Sequence, residues 1–125
     1  MKKLLLLFVL LFSITAFSQD KNENEILEVV DKAATFEDGI SSFRNEFAKN
    51  VNINKVQGKG TFRTVVTFVV ERDGTISDVK ASGENQSFNE QAVKAIKKIK
   101  TKWSPAKVKG TTVRSRFRFP ATANI

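Results

Sequence analysis

The chain contains neither histidine nor cysteine. Those absences exclude zinc sites built on imidazole or thiolate, thiol redox chemistry, cysteine nucleophiles and every triad that depends on a histidine base. Most hydrolase and metalloenzyme mechanisms go with them, so the expectation is a protein that is not an enzyme and uses no cofactor or metal. No disulfide can staple the fold, which leaves packing to stabilise it. Proline is scarce as well: Pro105 and Pro120 are the only two, and no Pro-rich spacer, internal repeat or low-complexity tract interrupts the chain. What is present amounts to 125 residues, 41% hydrophobic and 27% charged. A chain of that size has room for one modest core and not for two.

Charge is unevenly divided. The formal net charge is +8, but Lys2 and Lys3 lie in a segment expected to be removed, which leaves 19 basic residues against 13 acidic, or +6. Between Asp20 and Asn50, 8 acids face 4 bases, whereas from Val51 onward 15 bases face 5 acids. The C-terminal half is therefore the part suited to an acidic partner or surface.

Lys2 and Lys3 precede an unbroken apolar run from Leu4 to Phe12, followed by Ser13, Ile14, Thr15 and the small-residue pattern Ala16-Phe17-Ser18. These are the three regions of a secretory signal peptide, so residues 1–18 are expected to be cleaved after Ser18. Even from Leu4 to Phe17 the stretch is only 14 residues, short of the roughly 17 to 25 that a spanning helix needs. An uncleaved anchor is the lesser reading. The mature chain is expected outside the cytoplasm and peripheral to a membrane at most.

Residues 19–35 read as a flexible lead-in. Gln19 to Glu25 carries no apolar side chain, and Ile26 to Phe36 is open between a helix and an extended segment. From Asp38, a candidate cap, the spacing Ile40, Phe43, Phe47 marks one face of a short helix. Thr61 to Glu71 is rich in β-branched and aromatic residues, with Phe62, Val66, Phe68 and Val70 on one parity, which predicts a strand. Asp73-Gly74 predicts a tight turn into a second strand, Ile76 to Ala81. Ser87-Phe88-Asn89-Glu90 reads as a capping box opening a helix that turns Ala92, Val93, Ile96 and Ile99 inward. In Thr112 to Phe119, Val113, Ser115, Phe117 and Phe119 alternate with Arg114, Arg116 and Arg118, and Pro120 is expected to end the strand or mark it as an edge.

The residues Phe36-Glu37-Asp38-Gly39 with Phe43 and Ala48-Lys49-Asn50 begin a longer pattern. It continues in Val66 to Val70 with Asp73-Gly74-Thr75-Ile76, in Phe88-Asn89-Glu90-Gln91-Ala92, and in Trp103-Ser104-Pro105-Ala106 with Gly110 and Val113. In order and spacing the chain resembles the TonB C-terminal domain family, here as a short secreted form matched from about Phe36 to Phe119. The resemblance implies a small α+β fold, a three-stranded antiparallel sheet with helices on one face, over residues 36–121, with 122–125 as a tail. It implies a periplasmic module that grips an outer-membrane TonB-dependent transporter, whose extended TonB box adds as a strand to an exposed sheet edge. Family members that transmit energy carry a transmembrane helix and a Pro-rich spacer. Here a signal peptide stands in that place, so the binding part is expected without the force-transmitting part.

Thr112, Arg114, Arg116, Arg118 and Lys107 are the candidate peptide-binding residues, as an edge strand with a basic patch that Lys94, Lys97 and Lys98 would extend. Each arginine alone reads rather as the solvated side of a half-covered sheet, and the three as a patch with the lysines read equally as either. Trp103 and the phenylalanines read as core rather than as a stacking surface. A basic sheet with interleaved Phe suggests a single-strand binder, but Phe117 and Phe119 lie on the face opposite the arginines, so no nucleic acid is expected. The second reading is a basic envelope-binding structural protein holding anionic polymer or lipid head groups. N-terminal sequencing of the exported protein is expected to begin at Gln19; an intact Met1 in the membrane fraction would identify an uncleaved anchor instead.

Overall fold

The computed structural model describes residues 24–125. The expected signal segment and the first residues of the lead-in lie outside the described residues. The elements in chain order are β1 (Ile26–Leu27), β2 (Thr35–Phe36), α1 (Ile40–Asn50), a single 3-10 turn (Ile53–Lys55), β3 (Thr61–Val70), β4 (Ile76–Gly83), α2 (Gln86–Lys98), β5 (Trp103–Ser104), β6 (Ala106–Val108) and β7 (Thr111–Asn124). The main sheet runs β1-β7-β3-β4, with β6 also paired to β7, and β2 with β5 forms a separate two-stranded sheet. The α+β class is as expected, with more strands than the expected three. Among the described residues no helix is long and apolar enough to cross a membrane.

The pairing of β3 with β7 is the spine, unbroken from Thr61 opposite Asn124 to Val70 opposite Ser115. Val66, Phe68 and Val70 of β3, with Phe119, Ala121 and Ala123 of β7, turn to the helices and are buried. Beyond the ladder, Gly60 and Ile125 exchange both main-chain hydrogen bonds at 2.9 Å. Counting back in steps of two, Ala123, Ala121, Phe119, Phe117 and Ser115 aim their ladder groups at β3, and the residues between them aim away. Pro120 is one of the latter, so its missing amide removes no bond to β3. Of the two expectations for Pro120, a strand end or an edge, the structure has the edge: the strand runs through it to Asn124, and the expected tail is part of the sheet. The lead-in also contributes structure, since Ile26–Leu27 pairs in parallel with Arg114 and Ser115.

The aromatic core is centred on Phe43. Its ring lies 5.3 Å from Phe36, 5.2 Å from Trp103, 6.0 Å from Phe68 and 4.9 Å from Phe119, centroid to centroid. Most of these contacts are edge-on or tilted, the arrangement the ring quadrupole favours. Phe47, one turn on, stands 5.1 Å from Phe119. Ile40 does not share this burial and is exposed.

Local chemistry differs from expectation at both helix starts. Gly39, with φ 93°, is the N-cap of α1 and there is no side-chain cap, so Asp38 does not cap it. In α2 the cap is Asn85, whose Oδ1 accepts from the Phe88 amide at 3.0 Å. Ser87 lies inside the helix, and its hydroxyl accepts from the Gln57 amide at 2.8 Å and donates to Asn85 at 2.6 Å. Asn85 also donates to the Gln57 carbonyl at 2.7 Å. The sequence pattern of a capping box is thus used to tie α2 to the segment before β3.

The Asp73-Gly74 turn forms as expected, with Gly74 at φ 87°. A second constraint acts on the same glycine: the Trp103 amide donates to its carbonyl at 2.9 Å, and a Cβ there would collide with the Trp103 carbonyl oxygen. Only glycine lets the Trp103 strand cross the turn this closely. Phe43→Ala is expected to cost about 3 to 5 kcal/mol in urea unfolding, because a ring that is almost wholly buried leaves a cavity behind. Phe117→Ala should cost less, since that ring is only partly buried.

Candidate binding edge

Two strands lie at the edges of the main sheet beyond the short β1, and they differ. β4 is bulged where the register slips between the partners of Thr67 and Val69, with Asp78 in the left-handed region at φ 53°. Lys80 and Asp78 form an exposed ion pair at 3.6 Å on the same strand. A bulge and edge charges are the usual devices that discourage a further strand. β7 is guarded only over Arg114 and Ser115, by β1. From Arg116 to Asn124 no described strand lies on the side away from β3. There the outward main-chain groups belong to Arg116, Arg118, Pro120, Thr122 and Asn124, Pro120 offering a carbonyl alone.

The candidate residues divide between that edge and its surroundings. Lys107 and Thr112 face one another in the β6-β7 pair. The main chain of Lys107 is also engaged by Lys32, with bonds of 2.9 and 3.1 Å. Neither residue is on the open stretch. Arg114, Arg116 and Arg118 share the sheet face opposite the helices, as expected from alternation. Arg114 makes a two-pronged contact with Glu71, Nε to Oε1 at 2.7 Å and Nη2 to Oε2 at 3.1 Å. Its Nη1 donates to the Asn24 carbonyl at 2.5 Å, which holds β1 in place. Arg116 lies 3.5 Å from Asp78 and 3.9 Å from Glu28. Arg118 is exposed and makes no ion pair among the described residues. Lys94, Lys97 and Lys98 sit on α2, on the other side of the sheet, so they do not extend the arginine patch.

Glu71, absent from the candidate residues, organises one end of the site. Its carboxylate is held below the usual glutamate range, first by the hydrogen bond from Arg114 and further by one from the Ser77 hydroxyl, against the opposing effect of burial. The same pairing raises Arg114. Asp73 is lowered by the Thr75 hydroxyl and amide, with Oδ1 accepting both at 2.6 and 3.0 Å. That is turn chemistry. Among the described residues no group of three or more Asp, Glu, His or Cys could hold a metal.

A groove of about 400 Å³ runs along the open half of β7, between that strand and the end of α1. Phe47, Ala48, Val51 and Ile53 form one wall and Phe119 to Asn124 the other. Its origin is legible in one detail of the sequence: the inward positions of β7 step down from Phe117 and Phe119 to Ala121 and Ala123.

Among the described residues, the site is thus one long unguarded sheet edge on an α+β domain. The model of the Gram-negative bacterial TonB protein C-terminal family matches residues 51–122, and the chain belongs to that family. Domains of this family are non-catalytic. The match begins after α1, leaving β1, β2 and α1 outside it. No curated protein and no solved structure matches the chain.

Replacing Glu71 by Gln should lower the thermal midpoint most near about pH 7. A carboxylate depressed in the fold contributes stability above its unfolded-state pKa and loses it as pH falls through its folded one. The gap between wild type and Glu71→Gln should therefore close as pH falls through the acid range in circular-dichroism melts. A gap independent of pH would show that the ionised pair is not its source.

Proposed function

We propose that this periplasmic TonB C-terminal-type module recognises an extended peptide by strand addition at the edge of β7 from Arg116 to Asn124. The peptide would be the TonB box of an outer-membrane TonB-dependent transporter. The observation that carries this reading is the run of unpaired outward main-chain groups on a strand whose other side is fully bonded. Added main-chain hydrogen bonds supply affinity in this mode, and side-chain surroundings supply selectivity. Family membership supports the same reading, because interaction with such transporters is the family's known role. Export to the periplasm through a cleaved signal peptide belongs to the proposal.

One observation favours the second reading, an envelope protein held by anionic polymer or lipid head groups. No acidic residue follows Glu90, while Lys94, Lys97, Lys98, Lys100 and Lys102 follow it closely. Salt separates the two. Strand addition should persist at moderate ionic strength, whereas charge-driven adhesion should fade steeply.

The test is backbone-amide NMR of the mature chain titrated with a TonB-box peptide. Shifts concentrated from Arg116 to Asn124 are expected. Shifts confined to the lysines after Glu90, abolished by salt, would favour the second reading and set aside the first.

A further inference from the structure

We infer that the groove beside β7 selects the side chains of the added strand: two branched apolar residues at alternate positions beside Phe119 and Ala121, with a carboxylate on the intervening residue, opposite Pro120 and diagonally within reach of Arg118. The inference rests on strand addition at that edge and names what the edge accepts.

Alternation dictates the pattern. Side chains of a strand paired to β7 point in turn to the helix side and to the outer side. Those on the helix side would lie beside Phe119, Ala121 and Ala123, under the wall made by the end of α1. That wall presents apolar surface that no described residue covers: Ile53 is 43% exposed, and Val51 is only partly buried. The alanines keep the opposite wall low, and the resulting 400 Å³ is space for side chains. The sheet thus stops one strand short of the helix that roofs it.

Charge decides the other face. Arg118 projects outward beside the open ladder with no counterion among the described residues, while Arg114 and Arg116 are engaged by Glu71 and Asp78. Arg44 is the only charged residue lining the groove, and no acid follows Glu90 in the chain. A carboxylate fits this edge and a lysine does not.

Short synthetic peptides with two valines flanking one glutamate serve as probes, read by fluorescence anisotropy and by the Arg116 to Asn124 amides. Each Val→Ser change in the peptide should weaken binding roughly 10-fold. A Glu→Lys peptide should bind more weakly to the wild-type chain, and this difference should vanish in Arg118→Gln. Ala121→Leu should block the valine peptide by filling the groove. Ile53→Ser, at an exposed site that leaves the core intact, should reduce the preference for valine over serine and keeps the test independent of how Ala121→Leu folds. If all peptides shift the Arg116 to Asn124 amides and bind alike, the groove inference is overturned while strand addition stands. If none shifts those amides, strand addition itself falls. Concentration-dependent dimerisation that broadens the same amides would make a second copy the occupant and overturn the inference.

Discussion

The packing of Phe43 is the constraint from which the rest of the domain follows. Its ring touches the lead strand through Phe36, the returning segment through Trp103, and the sheet through Phe68 and Phe119. Each such aromatic pair contributes about 0.5 to 1.5 kcal/mol beyond the area it buries. The cluster also has a positional effect: it holds α1 against the β3-β7 pair, through Phe68 and Phe119. The end of that helix forms one wall of the groove beside the open half of β7. Gly74 belongs to the same constraint, since Trp103 reaches Phe43 only by crossing the Asp73-Gly74 turn at backbone contact.

Electrostatics divides the outer face of the sheet into a structural and an available part. Glu71 and Arg114 are spent on structure, joining the turn after β3 to β7 and, through the Asn24 carbonyl, to β1. Asp78, in its bulge on β4, engages Arg116 and Lys80 and so blunts the opposite edge as well. Arg118 is what remains. Among the described residues, one edge is thus blunted by a bulge and charges, the start of the other is covered by the N-terminal strand, and Arg116 to Asn124 is left unguarded.

Local sequence pattern identified the elements well where alternation or helical spacing was strong. β3 and β7 were legible from β-branched residues and strict alternation, α2 from its apolar spacing, and the hairpin from Asp73-Gly74. It misassigned groups whose partners are distant. Ser87 matches a capping box but bonds to Gln57, thirty positions away. Pro120 reads as a strand end or an edge, and local rules cannot choose between them because they do not tell toward which neighbour a ladder group points. Lys107 and Thr112 are basic and β-favouring like the arginine stretch, yet they pair with each other.

The sequence by itself determined the α+β class and the face to which the arginines project, because two-residue periodicity is a local property, and the order and spacing of its motifs carried the resemblance to the family. Tertiary structure alone decided which edge is open, which arginine is uncommitted, and that Ala121 and Ala123 border a groove. Those depend on the register of β3 against β7 and on where Phe43 anchors α1, and both are set by contacts between residues far apart in the chain.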